Sequence, residues 1–186
     1  GDKLARYSFL GFDPFMTFEI HGKQFGIKPR HEDVNVVPKL VEDADHPLDA
    51  LKKIFAHFKT VMVPGLPRLS GGAVGYFGYE TVQLVEDIPI HGNDALSIPD
   101  ALLMFCDTVV IFDNVTHRLF LVSNAYVASS DMPESALRKE YVKAVEEIAR
   151  LKSILKKNIS MELSVQHVNG TILYEFPKDQ FCRAVE

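Results

Sequence analysis

Leu102-Leu103-Met104-Phe105-Cys106-Asp107-Thr108-Val109-Val110-Ile111-Phe112 is a long run rich in apolar and β-branched residues, and Arg118-Leu119-Phe120-Leu121-Val122 repeats its character after a turn at Asn114 to Thr116. Such side chains fit the pleated, half-buried surface of a sheet, so the two runs read as paired central strands. Upstream, Arg6 to Leu10 carries Tyr7 and Phe9 and ends at Gly11, with Asp13 and Pro14 following as turn formers, which reads as a further strand. Met16 to Ile20 and Gln24 to Ile27 flank His21 and Gly22, the pattern of a tight hairpin that uses glycine's permissive backbone.

Helical spacing appears between these runs and beyond them. Leu48, Leu51, Ile54, Phe55 and Phe58 recur at three- and four-residue steps behind Pro47, which suits a first helical turn. Asp131, Pro133 and Glu134 resemble a capping box with Asp in place of Ser or Thr. Leu137, Tyr141, Ala144, Val145, Ile148, Leu151, Ile154 and Leu155 then mark one face of a long helix. Strands arriving in runs, rather than alternating one for one with helices, define an α+β class: a mainly antiparallel β-sheet or sandwich with two or three amphipathic helices packed on it.

The domain reading places one unit over residues 1–158 and a linker with the start of a second domain over residues 159–186. After Lys157 the chain is polar and turn-rich through Asn169 and Gly170. Lys178 and Asp179 then open a short helical pattern with Phe181 and Val185 on one face, and this breaks off at Glu186 without a stop signal, as in a truncated chain.

At 186 residues, 47% hydrophobic and 24% charged, the chain can bury one substantial core. A net charge of -5 supplies no electrostatic footprint for DNA or RNA, so nucleic acid is not an expected partner. Cys106 and Cys182 stand far apart with no zinc or disulfide spacing, which fits a reducing cytoplasm. Nowhere do enough apolar residues run together to cross a membrane. Asn114, Asn158 and Asn169 open N-x-[ST] triplets without a preceding signal peptide and read as chance matches.

The most distinctive stretch is Gly71-Gly72-Ala73-Val74-Gly75-Tyr76-Phe77-Gly78-Tyr79-Glu80. Its glycine spacing is neither that of a dinucleotide fingerprint nor that of a P-loop. Gly71, Gly72, Gly75 and Gly78 therefore read as sites of close backbone packing or bulging beside Tyr76 and Tyr79. His21, His31, His46, His57, His91, His117 and His167 show no short ligand spacing, and Glu42, Asp43 and Asp45 lack the register of a calcium loop. Ser70, although it precedes Gly-Gly, belongs to no nucleophile elbow. Composition and spacing name no reaction, and no catalytic or metal-ligating residue is assigned.

Taken in order, Ala5-Arg6-Tyr7-Ser8-Phe9-Leu10-Gly11 with Asp13-Pro14, the Gly71 to Glu80 motif, and Pro99-Asp100-Ala101 leading to Asp107-Thr108-Val109-Val110-Ile111-Phe112-Asp113 resemble the N-terminal region of anthranilate synthase component I. The likeness covers nearly the whole chain. Phe176 to Glu186 resembles the entry to that family's chorismate-utilising domain. Aminodeoxychorismate synthase of folate biosynthesis shares the glycine-tyrosine motif and the domain plan, but the agreement over Asp107 to Asp113 favours the anthranilate enzyme.

The resemblance implies that the complete protein converts chorismate into anthranilate and pyruvate in tryptophan biosynthesis. Ammonia would come from glutamine through a partner amidotransferase subunit, and magnesium would be bound in the C-terminal domain. It assigns this chain no cofactor and no catalytic residue. Feedback inhibition by L-tryptophan in the family uses a Leu-Leu-Glu-Ser motif and an Asn-Pro-x-Pro-Tyr-Met segment, neither of which occurs here. Lys3, Arg6 and Ser8 then stand at the border of the effector pocket. Two other readings remain open at this level: a freestanding module that binds an amino acid or a protein, and a purely structural domain in which the glycine-tyrosine motif serves packing alone.

Overall fold

The computed structural model describes residues 6–30, 36–88, 97–157 and 177–185. Among the described residues, seven strands form two antiparallel sheets. One has the order β1-β6-β7, built from β1 (Tyr7–Gly11), β6 (Thr108–Asp113) and β7 (Arg118–Ser123). The other has the order β3-β2-β5-β4, built from β2 (Met16–His21), β3 (Gln24–Pro29), β4 (Gly72–Phe77) and β5 (Ala101–Cys106). With helices α1 (Val36–Leu40), α2 (Pro47–His57) and α3 (Glu134–Leu155), the class is α+β, as the distribution of strand runs implies.

The β2–β3 hairpin follows the alternation in its sequence. Met16, Phe18 and Ile20 are fully buried on one face, and Gly22 turns the chain with φ of 57°. Helix α2 buries Ala50, Leu51 and Ile54 against that face and against Leu103 and Phe105 of β5. Complete burial of Ile54 alone contributes about 2 kcal/mol of transfer free energy. Val37 of α1 and Leu84 close the same core. A smaller cluster of Val109, Ile111 and Val122, with Tyr7, Leu66 and Phe120 against it, belongs to the three-stranded sheet, and α3 packs on β7.

Three expectations need correction. The run from Leu102 to Phe112 is not one strand: it breaks at Asp107, and β5 and β6 join different sheets. The break has a polar cause, because the Asp107 carbonyl accepts both the backbone N–H of Asn124, at 2.9 Å, and its side-chain amide, at 2.7 Å. Asp131 does not cap α3. Pro133 holds that position without a side-chain hydrogen bond, and Asp131 instead accepts from the Ser130 hydroxyl at 3.3 Å. On α3, only Ala144 and Leu151 of the apolar face are buried, whereas Tyr141, Val145 and Leu155 are exposed. Helix α1 and the 3-10 helix Tyr79–Leu84 had no clear periodic signal, being too short to show one.

The chain divides into two compact units after Lys156. The second unit contains α4 (Lys178–Val185), with Asp179 in its first turn and Arg183 in its last, a disposition that suits the helix dipole. Among the described residues, no helix is long and apolar enough to cross a membrane.

Candidate functional site

The glycine-tyrosine segment forms β4, which among the described residues is an edge strand paired with β5, and runs through Gly78 into the 3-10 helix. Its glycines meet different constraints. Gly72 has φ of 131°, a conformation that side chains rarely adopt. A Cβ on Gly75 would fall inside the contact radius of the Leu102 carbonyl oxygen on β5. A Cβ on Gly71 would stand 2.6 Å from Nδ2 of Asn124. Gly78 donates its N–H to the Asp100 carbonyl at 2.7 Å, and a Cβ there would sit 3.0 Å from the same oxygen. The Tyr76 hydroxyl donates to the Pro99 carbonyl at 2.8 Å, while Tyr79 projects outward, 85% exposed.

Two residues hold this strand in place. Asp100 sits at the head of β5 and uses three groups at once. Its N–H donates to Ile20, its carbonyl accepts from Gly78, and its carboxylate accepts the N–H of Gly22 in the hairpin turn at 2.5 Å. Asn124, just after β7, donates from Nδ2 to the carbonyls of Ser70 at 2.8 Å and Asp107 at 2.7 Å. The approach to β4 is therefore tied to the point where the chain passes from one sheet to the other. Cys106 lies buried beside it, and burial raises its thiol above the ordinary range, with Asp107 adding to the effect.

Of the residues expected at an effector border, Arg6 and Ser8 lie at the three-stranded sheet. Arg6 grips Asp113 through Nη2 at 2.8 Å and Nε at 3.2 Å, and its guanidinium also stands 4.9 Å from the centre of the Tyr7 ring. The Ser8 hydroxyl accepts from Asn114 Nδ2 at 3.2 Å. Arg6 and Ser8 therefore meet at the β6–β7 turn, while Lys3 lies outside the described residues. Asp113 itself is buried and also accepts the backbone N–H groups of Val115 and Thr116. The Arg6 guanidinium, followed by these backbone donors, outweighs the burial and holds its carboxyl well below the usual carboxylate range. The turn signal at Asn114 pointed to this place, since an Asp before it can accept N–H groups two and three residues on. Asp100 and Asn124 carried no local signal, because all their partners are distant in sequence.

Among the described residues, no three His, Cys, Asp or Glu side chains come together as metal ligands would.

No family model matches the chain. Curated proteins do. Over 195 residues the chain is 29% identical to anthranilate synthase component 1 of Acetivibrio thermocellus, a match covering all of this chain and 36% of that protein. Over 143 residues it is 37% identical to the protein of the same name from Pseudomonas putida, covering 74% of this chain and 28% of that one. The crystal structure of anthranilate synthase component I from Streptococcus pneumoniae TIGR4 superposes with a TM-score of 0.48 at 21% identity, over 80% of this chain and 31% of that one. The chain thus spans about a third of the length of the curated relatives it matches.

Proposed function

Because the chain belongs to the anthranilate synthase component I family, we propose that it is that protein's N-terminal, non-catalytic part, serving regulation and assembly. In this reading the full-length protein converts chorismate, with ammonia derived from glutamine, into anthranilate and pyruvate in the cytoplasm, as a step of tryptophan biosynthesis. A chorismate-utilising domain beyond this region performs the chemistry with magnesium, and an amidotransferase subunit supplies the ammonia.

The observation that carries this reading is the whole-length similarity to a relative of which the chain spans 36%. The glycine-tyrosine strand supports it, because the groups placed around it are engaged in holding backbone. Gly78 donates to the Asp100 carbonyl and Tyr76 to that of Pro99.

L-tryptophan is the proposed effector, with Lys3, Arg6 and Ser8 at the border of its site. Arg6 acts there as a positioning residue, holding the start of β1 to the β6–β7 turn through Asp113. Inhibition through such a border requires that tryptophan bind two arrangements of the assembly with different affinity.

The test is calorimetric titration of chorismate with magnesium into this chain and into a chain extended through the chorismate-utilising domain. Binding to the extended chain alone supports the reading. Tight binding to the 186-residue chain places the substrate site in this region and overturns it. In the extended chain, tryptophan inhibition that is unchanged by Lys3→Ala and Ser8→Ala would remove those residues from the effector border.

A further inference from the structure

Helix α2 begins with a histidine in the position usually held by Ser, Thr, Asp or Asn. His46 is half-buried and its ring makes two hydrogen bonds. Its Nδ1 accepts the backbone N–H of Leu48 at 3.2 Å, and its Nε2 lies 3.0 Å from the carbonyl oxygen of Leu84. A backbone N–H can only donate and a carbonyl oxygen can only accept. Nδ1 must therefore present its lone pair while Nε2 carries the hydrogen. Both partners demand the same neutral tautomer, although they are 36 residues apart.

Leu84 closes the 3-10 helix that follows the glycine-tyrosine strand, and its side chain is buried in the core shared with α2. We propose that His46 is a proton-sensitive latch, whose neutral Nε2–H form joins the start of α2 to the end of this 3-10 helix. Protonation places a second hydrogen on Nδ1, facing the Leu48 N–H donor to donor. It also sets a positive charge at the positive end of the helix dipole. The bond to Leu84 survives, so acid releases one side of the latch and frees the first turn of α2.

The charged groups near the ring on the elements around it are exposed. Asp49, in the first turn of α2, is the acidic residue on the same element as the ring. It is exposed and paired with Lys52 at 3.0 Å, so water and that ammonium screen it. Asp45 precedes the ring in the chain and is exposed. Glu80 and Glu86, at the two ends of the 3-10 segment, are likewise exposed.

The test is nitrogen-resolved NMR of His46 together with amide exchange of Leu48 in this chain, from about pH 8 to about pH 5. The expected result at the upper end is an unprotonated Nδ1 and a protonated Nε2. On acidification, Leu48 exchange, corrected for its intrinsic rate, should rise about fivefold, the factor expected for loss of a cap. His46→Asn keeps an acceptor for Leu48 but cannot titrate, so the pH dependence should vanish. A protonated Nδ1 at the upper end overturns the latch, as does undiminished Leu48 protection in acid or a pH dependence that persists in His46→Asn. If His46→Asn fails to fold, the tautomer in the unaltered chain still decides.

Discussion

Arg6 and Asp113 stand 107 residues apart and meet as a bidentate pair, with Nη2 2.8 Å from Oδ2 and Nε 3.2 Å from Oδ1. The pair closes the end of the three-stranded sheet, because the Arg6 carbonyl also accepts the N–H of Asn114 at 2.7 Å. Since Arg6 holds Asp113 below the ordinary carboxylate value of 3.8, the native carboxylate keeps its charge where the unfolded one has taken up a proton. Its contribution is complete above that value and is lost as pH falls below it. Urea midpoints should therefore fall between about pH 5 and about pH 2, and Asp113→Asn should flatten that fall while lowering stability at neutral pH. Equal slopes in the two proteins would show that the pair does not govern acid sensitivity.

Gly75 and Gly26 provide a matched comparison within one sheet. A Cβ at Gly75 collides with the Leu102 carbonyl, which is backbone and cannot rotate away, whereas a Cβ at Gly26 meets nothing within 4 Å. Gly75→Ala should cost about 3 kcal/mol, toward the upper end for overpacking, and Gly26→Ala should be close to neutral. Thermal unfolding of both variants checks this, and similar values would mean that β4 can shift away from β5 cheaply.

Gly71 and Asn124 are coupled through one nitrogen. Asn124→Ala leaves the carbonyls of Ser70 and Asp107 without that donor, and Gly71→Ala pushes a methyl to 2.6 Å from it. Each single change should destabilise. Removing the Asn124 side chain also removes the obstacle to the Gly71 methyl, so the double variant should be more stable than additivity allows by about 1 kcal/mol. Strict additivity in a double-mutant cycle would contradict the shared contact.

Asp100 should act on the hairpin turn as well as on its own strand. Asp100→Ala removes a charged acceptor from the Gly22 N–H, at a cost of about 2 kcal/mol. Amide exchange at Gly22 should accelerate while protection in the centre of β5 is retained. Unchanged exchange at Gly22 would assign the turn's stability to glycine's backbone freedom alone.

Legibility in the sequence followed the range of the interactions. The β2–β3 hairpin could be read because alternation over Met16–Ile20, Gly22 at the turn and renewed alternation from Gln24 all act within a few residues. Helix α2 could be read because its buried Leu51 and Ile54 fall at helical steps. Family membership was legible too, through the order of its motifs, even though no single motif was decisive. The 3-10 helix after Gly78 was missed because a single short helical segment shows no period.

What the amino-acid order determined by itself was therefore the identity of the local elements, the α+β class and the kinship carried by the Arg6–Gly11, Gly71–Glu80 and Pro99–Asp113 motifs. The tertiary structure decided how these elements were shared out. Asp107 divides a run that is apolar on both sides, and the hydrogen bonds from Asn124, arriving from beyond β7, mark that division. Gly75 is held to a glycine by the Leu102 carbonyl, Arg6 is claimed by Asp113, and Asp100 reaches back to Gly22. Each of these constraints is exerted by an atom many residues away, and periodicity and turn preference register only neighbours along the chain.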